Sequence, residues 1–119
     1  MAHRILVVDD EALIRLLYER ELVSIGYEVT TAESGTVAIE MATEDQFDLA
    51  VLDIEMPGLD GLATLNRLRE AAPQMAVILN TAYAIYKADF QTWLADAYVV
   101  KSSDLQTLVD QIRKVLENR

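Results

Sequence analysis

The hydrophobic positions along the chain follow two alternating patterns. Short continuous apolar runs, such as Ile5-Leu6-Val7-Val8, are typical of strands that are buried on both faces of a sheet. Between these runs, apolar residues recur three and four positions apart, which indicates amphipathic helices. Strands are predicted at residues 5–8, 27–32, 48–53, 75–80 and 97–100, and helices at 11–24, 34–44, 62–71, 84–94 and 105–116. This alternation predicts an α/β fold with one doubly wound parallel sheet covered on both faces.

Local signals support three of the predicted helices. The first helix is assigned from the helical spacing of four leucines, Leu13, Leu16, Leu17 and Leu22. Ser34 precedes the second helix and is a residue type that caps helix N-termini. The last helix opens with Ser-Asp-Leu-Gln at residues 103–106, which matches a capping box.

Length and charge narrow the classes of function. The 119 residues suit one compact domain over residues 1–119. The formal net charge of −10 argues against direct binding to nucleic acid or to an anionic membrane surface. The chain contains no cysteine, which excludes disulfides, zinc–thiolate sites and cysteine nucleophiles. No apolar run approaches the roughly 20 residues that span a bilayer, and a cytoplasmic location is the default expectation.

Polar side chains follow the carboxyl ends of four predicted strands. They are Asp9 and Asp10 after the first strand, Asp53 at the end of the third, Thr81 after the fourth and Lys101 after the fifth. Ligand sites of open parallel sheets lie at this edge, so we expect these side chains to converge. A single acid after a strand is more simply explained as a turn or cap residue, but joint placement on one edge favours a site.

Three carboxylates held close together repel one another, which points to a bound hard cation. Mg²⁺ fits best, because it accepts oxygen ligands only and commonly shares its site with a phosphate. Lys101 then supplies a point charge for an anionic group beside the metal. A carboxylate nucleophile, a metal, a lysine and a hydroxyl donor together describe phosphoryl transfer onto an aspartate.

At this point the sequence resembles the receiver domain of two-component response regulators. The resemblance rests on four short motifs in a specific order: Asp9-Asp10; Asp53 followed by Met-Pro-Gly-Leu-Asp-Gly at 56–61; Thr81-Ala82; and Tyr98 three residues before Lys101. It covers essentially the whole chain. It implies a flavodoxin-like receiver fold with strand order 2-1-3-4-5.

The resemblance also implies roles for individual residues. Asp53 is expected to be the phosphoacceptor, attacking a phosphohistidine of a partner kinase or phosphotransfer protein. Asp10 and Asp53 are expected to bind Mg²⁺ directly, with Asp9 acting mainly through water. A further metal ligand is expected from the backbone carbonyl of Glu55.

The remaining expected roles concern the phosphoryl group and the output. Thr81 is expected to hydrogen-bond a phosphoryl oxygen, and Lys101 to pair with the phosphoryl group. The aromatic side chain of Tyr98 is expected to rotate on phosphorylation, which changes the face formed by the fourth helix, the fifth strand and the fifth helix. That face would control a downstream protein target, and two copies of the chain could pair through it. The domain would catalyse only its own phosphorylation and dephosphorylation.

The sequence departs from the family pattern after Lys101, where Ser102 replaces the usual proline. A cis bond before a residue other than proline costs about 2.5 to 4 kcal/mol. We therefore expect a trans peptide, with the Lys101 side chain still able to reach the site.

The segment from Thr81 to Lys101 carries an unusual share of aromatic residues: Tyr83, Tyr86, Phe90 and Trp93. The last three are spaced to share one helical face. Packing on the sheet is the simpler explanation, and a partner-binding or dimerisation surface is the alternative. Tyr83 and Glu55 also flank the expected site, where they could influence hydrolysis of an acyl phosphate.

Several functions compete at this stage. The leading hypothesis is a phosphorylation-dependent switch, either a single-domain regulator or a receiver excised from a longer protein with an output domain. A degenerate receiver that serves as an interaction scaffold is the first alternative. A phosphatase of the haloacid dehalogenase type would usually have a second aspartate where Glu55 stands. A flavodoxin-like FMN binder would need a phosphate cradle that the loops lack.

Overall fold

The computed structural model describes residues 2–54, 61–82, 95–102 and 104–118. Within them the strands are β1 Arg4–Val8, β2 Glu28–Ala32, β3 Leu49–Leu52, β4 Ala76–Thr81 and β5 Ala97–Val100, and the helices are α1 Ala12–Ser24, α2 Gly35–Glu44, α3 Gly61–Ala71 and α4 Gln106–Glu117. The helix predicted at residues 84–94 lies outside the described residues. The last predicted helix corresponds to α4.

All five strands form one parallel sheet in the order β2-β1-β3-β4-β5, which confirms the predicted fold and strand order. The register aligns Val8 of β1 with Leu52 of β3, and Leu52 with Leu79 of β4. The carboxyl ends of these central strands therefore lie side by side. Residues that directly follow them meet at one edge of the sheet.

The core consists of two layers, one on each face of the sheet. Leu6, Val8 and Leu52 face the layer that includes side chains of α2 and α3. Ile5 and Val51 face the layer that includes side chains of α1 and α4. Because alternate side chains enter opposite layers, every position of β3 and β4 is buried, which explains the continuous apolar runs.

Helix α1 forms as predicted, but most of the leucines that indicated it are not in the core. Leu13, Leu16 and Leu17 are 64%, 47% and 46% exposed, whereas Tyr18 and Leu22 are buried. The helix therefore places a tyrosine against the sheet and turns three leucines outward. Spacing alone could not distinguish these two faces, because both carry large side chains at helical intervals.

The cap of α2 is confirmed, and the capping box of the last helix is wrong. The Ser34 hydroxyl accepts a hydrogen bond from the backbone N–H of Val37 at 3.2 Å. Helix α4 begins at Gln106, with Leu105 at its N-cap position and no side-chain cap there. The Asp104 carboxylate instead accepts the Gln106 N–H at 2.9 Å, and the Gln106 side chain donates forward to Asp110. The Gln106 side chain therefore does not reach back as a capping box requires, and Ser103, the other residue of the predicted box, lies outside the described residues.

At the amino ends of the strands, opposite the site, Arg4 makes several polar contacts that stabilise the sheet. The Arg4 guanidinium donates to both carboxylate oxygens of Asp45, at 2.8 and 2.7 Å, and lies 4.9 Å above the ring centre of Phe47. Its backbone N–H donates to Asp48. These contacts join the start of β1 to the loop between α2 and β3.

None of the helices among the described residues is long and apolar enough to cross a membrane.

Candidate functional site

Three carboxylates meet at the carboxyl edge of the sheet. Hydrogen bonds from the backbone N–H of Asp9 to Ala32 and from that of Asp53 to Val8, both 3.1 Å, extend the sheet one residue beyond β1 and β3. The Asp9 and Asp53 side chains are buried and Asp10 is exposed. One oxygen from each of the three lies within 4.8 Å of the others. The structure therefore brings together the acidic residues that the sequence placed at this edge.

Lys101 reaches into this cluster. Its Nζ atom lies 2.8 Å from Oδ2 of Asp9 and 2.9 Å from Oδ2 of Asp53. No cis peptide bond occurs among the described residues, so the bond between Lys101 and Ser102 is trans, as expected. Burial lowers the pKa of Lys101, but the hydrogen bonds to the two carboxylates outweigh it and raise that pKa well above its usual value. The ammonium is therefore charged throughout the neutral range.

Thr81 and Tyr98 lie on the strands next to the cluster. Thr81 ends β4 and is completely buried, and its backbone carbonyl accepts a hydrogen bond from the N–H of Lys101 at 2.6 Å. Tyr98 lies opposite Leu79 on β5 and packs, half-buried, against the layer that contains α2 and α3. The structure thus fixes Thr81 beside the base of Lys101. Glu55, Tyr83 and the other aromatics of residues 83–94 lie outside the described residues.

The donor set fits a divalent magnesium ion. All three candidate side-chain ligands are carboxylates, and Mg²⁺ takes oxygen ligands. One lysine compensates one of the three negative charges, so the charge of a divalent cation matches the remainder. Both oxygens of Asp9 already have partners, because Oδ1 accepts the Glu11 N–H at 2.9 Å and Oδ2 contacts Lys101. Asp10 is exposed, which leaves it better placed than Asp9 for direct coordination.

Sequence reasoning missed three residues that support this edge. The Arg15 guanidinium on α1 donates to the backbone carbonyl of Asp9 at 2.8 Å, which holds the loop that carries the acidic pair. The Asn80 carboxamide donates to the Tyr18 hydroxyl at 2.7 Å, and both side chains are buried. Asn80 interrupts an otherwise apolar strand, and that signal was available in the sequence. No sequence signal linked it to Tyr18, which is 62 positions away.

A groove of about 580 Å³ runs beside the site, between α1 and the loop that follows β5. Its lining includes Leu17 and Tyr18 of α1, and Lys101, Ser102 and Leu105 from the loop. Leu17 is one of the three outward leucines of α1, so this groove exposes part of that apolar surface.

Comparison with known proteins gives consistent results. Residues 5–113 match the family model described as the response regulator receiver domain. The chain is 34% identical to the chemotaxis protein CheY of Bacillus subtilis over 98% of this chain and 99% of the relative. It also resembles TrrA of Thermotoga maritima, solved in complex with Mg²⁺–BeF, at 44% identity and a TM-score of 0.91, with 97% and 99% of the two chains covered.

Two further comparisons concern assemblies and longer proteins. TrrA has also been solved in complex with the histidine kinase ThkA, and there it matches this chain at 45% identity with a TM-score of 0.89, over 98% and 99% of the two chains. The transcriptional regulatory protein YkoG of Bacillus subtilis is 39% identical, but the matched region is 50% of its length and 94% of this chain. The matched region thus makes up nearly all of some relatives and about half of another.

Proposed function

Because this chain belongs to the receiver domains of two-component response regulators, we propose that it is a signalling switch that accepts a phosphoryl group on Asp53. The observation that carries the proposal is the contact between the buried Asp53 carboxylate and the Lys101 ammonium, beside Asp9 and Asp10. A buried carboxylate with one cation and two further acids matches an acceptor that must also hold a metal. A purely structural ion pair would not need the surplus acids.

The proposed step transfers a phosphoryl group from a phosphohistidine of the donor to Asp53. An Asp53 carboxylate oxygen forms the new bond to phosphorus as the bond between phosphorus and the histidine nitrogen breaks, and the imidazole leaves with that electron pair and takes a proton. Lys101 stabilises the negative charge on the transferred group, and the Thr81 hydroxyl donates to one of its oxygens. When bound by Asp10 and Asp53, with Asp9 acting through water and the Glu55 carbonyl as a further ligand, Mg²⁺ supplies charge neutralisation.

We propose a histidine kinase or a phosphotransfer protein as the donor. The complex of TrrA with the kinase ThkA supports this assignment, because TrrA is similar to this chain over nearly its full length. The exposed leucines Leu13, Leu16 and Leu17 lie on α1, which begins two residues after Asp10. They offer an apolar surface for a protein donor close to the acidic pair.

The proposed output is a change at the face that includes Tyr98, β5 and α4, where a downstream protein target or a second copy of the chain would bind. Tyr98 lies on the strand that leads directly to Lys101. A new negative charge that engages Lys101 and Thr81 would therefore act on β5, which carries this aromatic side chain, and on the neighbouring strand β4. Since the matched region is half of YkoG, a partner domain in a longer chain is the alternative target.

The test is phosphorylation by a small donor. The protein is incubated with Mg²⁺ and acetyl phosphate, and the intact mass is measured over time. A single phosphoryl adduct is expected in the wild type and in Glu40→Gln, an acid-to-amide control on the exposed side of α2, and no adduct in Asp53→Asn. Absence of an adduct with acetyl phosphate and with any kinase would instead indicate an interaction scaffold. Turnover of a generic phosphomonoester would indicate a phosphatase.

A further inference from the structure

Asn80 occupies the position next to Asp53 across the sheet. Leu52 and Leu79 are paired in register between β3 and β4, so the residues that follow them, Asp53 and Asn80, are neighbours. The alternation of the two strands directs both side chains to the face of the sheet covered by α1. Neighbouring strands are about 4.8 Å apart, which places a carboxamide at Asn80 within reach of the acceptor carboxylate.

The Asn80 carboxamide is instead held by Tyr18. Its Nδ2 atom donates to the Tyr18 hydroxyl oxygen at 2.7 Å, and the two side chains are 2% and 3% exposed. Burial raises the pKa of the Tyr18 hydroxyl, and the charges of Lys101, Asp9 and Asp53 all act on that pKa. The hydroxyl therefore lies close to the charged cluster while remaining outside its ion pairs.

We propose that Tyr18 is a positioning residue for phosphoryl acceptance, because the hydrogen bond to its hydroxyl holds the Asn80 carboxamide in an orientation in which neither of its two N–H groups donates to Asp53. This inference rests on the proposed role of Asp53. A hydrogen bond from the amide would occupy a carboxylate lone pair that the metal or the phosphorus atom needs. It would also lower the negative charge on the attacking oxygen. Tyr18 thus acts through Asn80 and does not itself touch the reacting atoms.

Loss of the Tyr18 hydroxyl has a defined consequence on this view. A buried N–H group without its partner finds another acceptor, because leaving it unpaired is costly. The carboxylate on the adjacent strand is a strong acceptor and lies at the same level of the sheet. Tyr18→Phe would therefore redirect the Asn80 amide to Asp53. Asn80→Leu, in contrast, removes the amide, so no carboxamide can donate to Asp53 whether or not the hydroxyl is present.

The experiment compares these variants in the intact chain. Initial rates of adduct formation with acetyl phosphate and Mg²⁺ are measured by intact mass for the wild type, Tyr18→Phe, Asn80→Leu and the double variant. We expect Tyr18→Phe to react about threefold to tenfold more slowly, the scale of one misplaced hydrogen bond. Asn80→Leu and the double variant are expected to react at the wild-type rate or faster. Recovery in the double variant is the signature of positioning.

A matched control separates this effect from general damage. Tyr27→Phe also removes a tyrosine hydroxyl, but Tyr27 lies beside His3 at the opposite edge of the sheet, with ring centres 6.4 Å apart. Its rate should equal that of the wild type. If Tyr18 and Asn80 were only a structural brace, Tyr18→Phe, Asn80→Leu and the double variant would all be slowed alike. That result, or an unchanged rate in Tyr18→Phe, would overturn the proposal.

Mg²⁺ binding provides a readout that needs no phosphorylation. Titration calorimetry of the unphosphorylated variants is expected to give a higher dissociation constant for Tyr18→Phe, restored to the wild-type value in the double variant. Equal constants for all variants would overturn the inference even if the adduct forms. The expected pattern in Mg²⁺ binding with no adduct in any variant would support the positioning role and contradict phosphoryl acceptance. Failure of the wild type to bind Mg²⁺ or to form an adduct would contradict both.

Discussion

The Lys101 ammonium is 2.9 Å from the carboxylate of Asp53, a residue 48 positions earlier in the chain, and it also contacts Asp9. One cation thus compensates two buried acids from different strands. We expect Lys101→Met to lower the free energy of unfolding by about 1 to 3 kcal/mol, the cost of leaving buried polar groups without their partner. This is less than for a fully buried pair, because the Lys101 side chain is 17% exposed.

Thermal unfolding with and without Mg²⁺ measures this effect. Added Mg²⁺ should recover part of the loss in Lys101→Met, since a bound cation replaces the missing positive charge. Lys114→Met, which removes a lysine from the last turn of α4 away from the site, serves as the control. A Lys101→Met protein as stable as the control in the absence of Mg²⁺ would show that the contact with Asp53 contributes no stability.

Removal of the exposed acid should weaken metal binding without weakening the fold. Asp10 lies in the cluster but outside the ion pairs with Lys101, so Asp10→Asn removes one negative charge from a repulsive group. We expect the variant to unfold at the wild-type temperature or slightly above it in metal-free buffer. Binding stabilises by about 1.4 kcal/mol at a Mg²⁺ concentration ten times the dissociation constant, and this gain should be largely lost in the variant. Thermal unfolding across a Mg²⁺ titration is the measurement, with Glu40→Gln as control.

The exposed leucines of α1 should affect the rate of phosphotransfer from a protein donor but not from a small-molecule donor. Leu16 is 47% exposed, so Leu16→Ala is expected to leave the fold and the reaction with acetyl phosphate unchanged. Phosphotransfer from a cognate kinase should become about threefold to tenfold slower, the scale of one apolar contact at an interface. Val23→Ala, on the last turn of the same helix and 51% exposed, is the matched control. Equal transfer rates for both variants would remove α1 from the donor interface.

The contact between α2 and α3 leaves no room for a side chain at Gly35. A Cβ atom added there would overlap the Thr64 hydroxyl oxygen and lie 3.0 Å from its Cγ2 atom. Gly35→Ala is expected to destabilise by about 1 to 3 kcal/mol, the usual cost of overpacking. Urea unfolding gives this value, with Thr36→Ala on the exposed side of α2 as control. Gly35→Ala combined with Thr64→Ala should recover part of the loss, whereas no recovery would place the cause elsewhere.

The ion pair between Arg4 and Asp45, at the opposite end of the strands from the site, predicts that the stability of the fold depends on pH in the acid range. Hydrogen bonds from Arg4 lower the pKa of Asp45 from 3.8 to about 2. A depressed carboxyl pKa contributes stability above pH 3.8, and this contribution is lost as the pH falls through about 2. Asp45→Asn should therefore unfold at a lower temperature than the wild type near pH 6, and the difference should shrink between pH 4 and pH 2. A difference independent of pH would mean that the charge of Asp45 is not its source.

Most of the fold could be predicted from the sequence because the central strands are buried on both faces. Both faces are apolar in the runs Ile5–Val8 and Leu49–Leu52, so each run is recognised as a buried strand. Asp9 and Asp53 directly follow these runs, so the ends of the strands determine where the two acids lie. The sheet order then brings those acids together, which is why the acidic cluster could be anticipated. The family resemblance supplied the strand order itself.

The features that the sequence did not predict depend on contacts between distant residues. The buried face of α1 is decided by Tyr18 packing against the sheet, and a leucine-rich helix gives no local sign of that choice. The hydrogen bond between Tyr18 and Asn80 likewise exists only once α1 and β4 are adjacent. The capping box predicted for α4 is wrong because the Asp104 carboxylate accepts the Gln106 N–H and the Gln106 side chain donates to Asp110.

The link between the acidic pair and α1 is so short that it sets the rotation of the helix relative to the acids. Asp10 is followed by one residue, Glu11, before the helix begins at Ala12. Each residue of an α-helix turns the chain by about 100° and advances it by 1.5 Å. A single-residue insertion after Asp10 would shift α1 by one position along its own axis. Leu13 and Leu16 would then rotate away from the acceptor, although every residue of the site would remain unchanged. If Asp53 accepts a phosphoryl group as proposed, the spacing between the acids and the helix would itself help to determine which protein donors can deliver it.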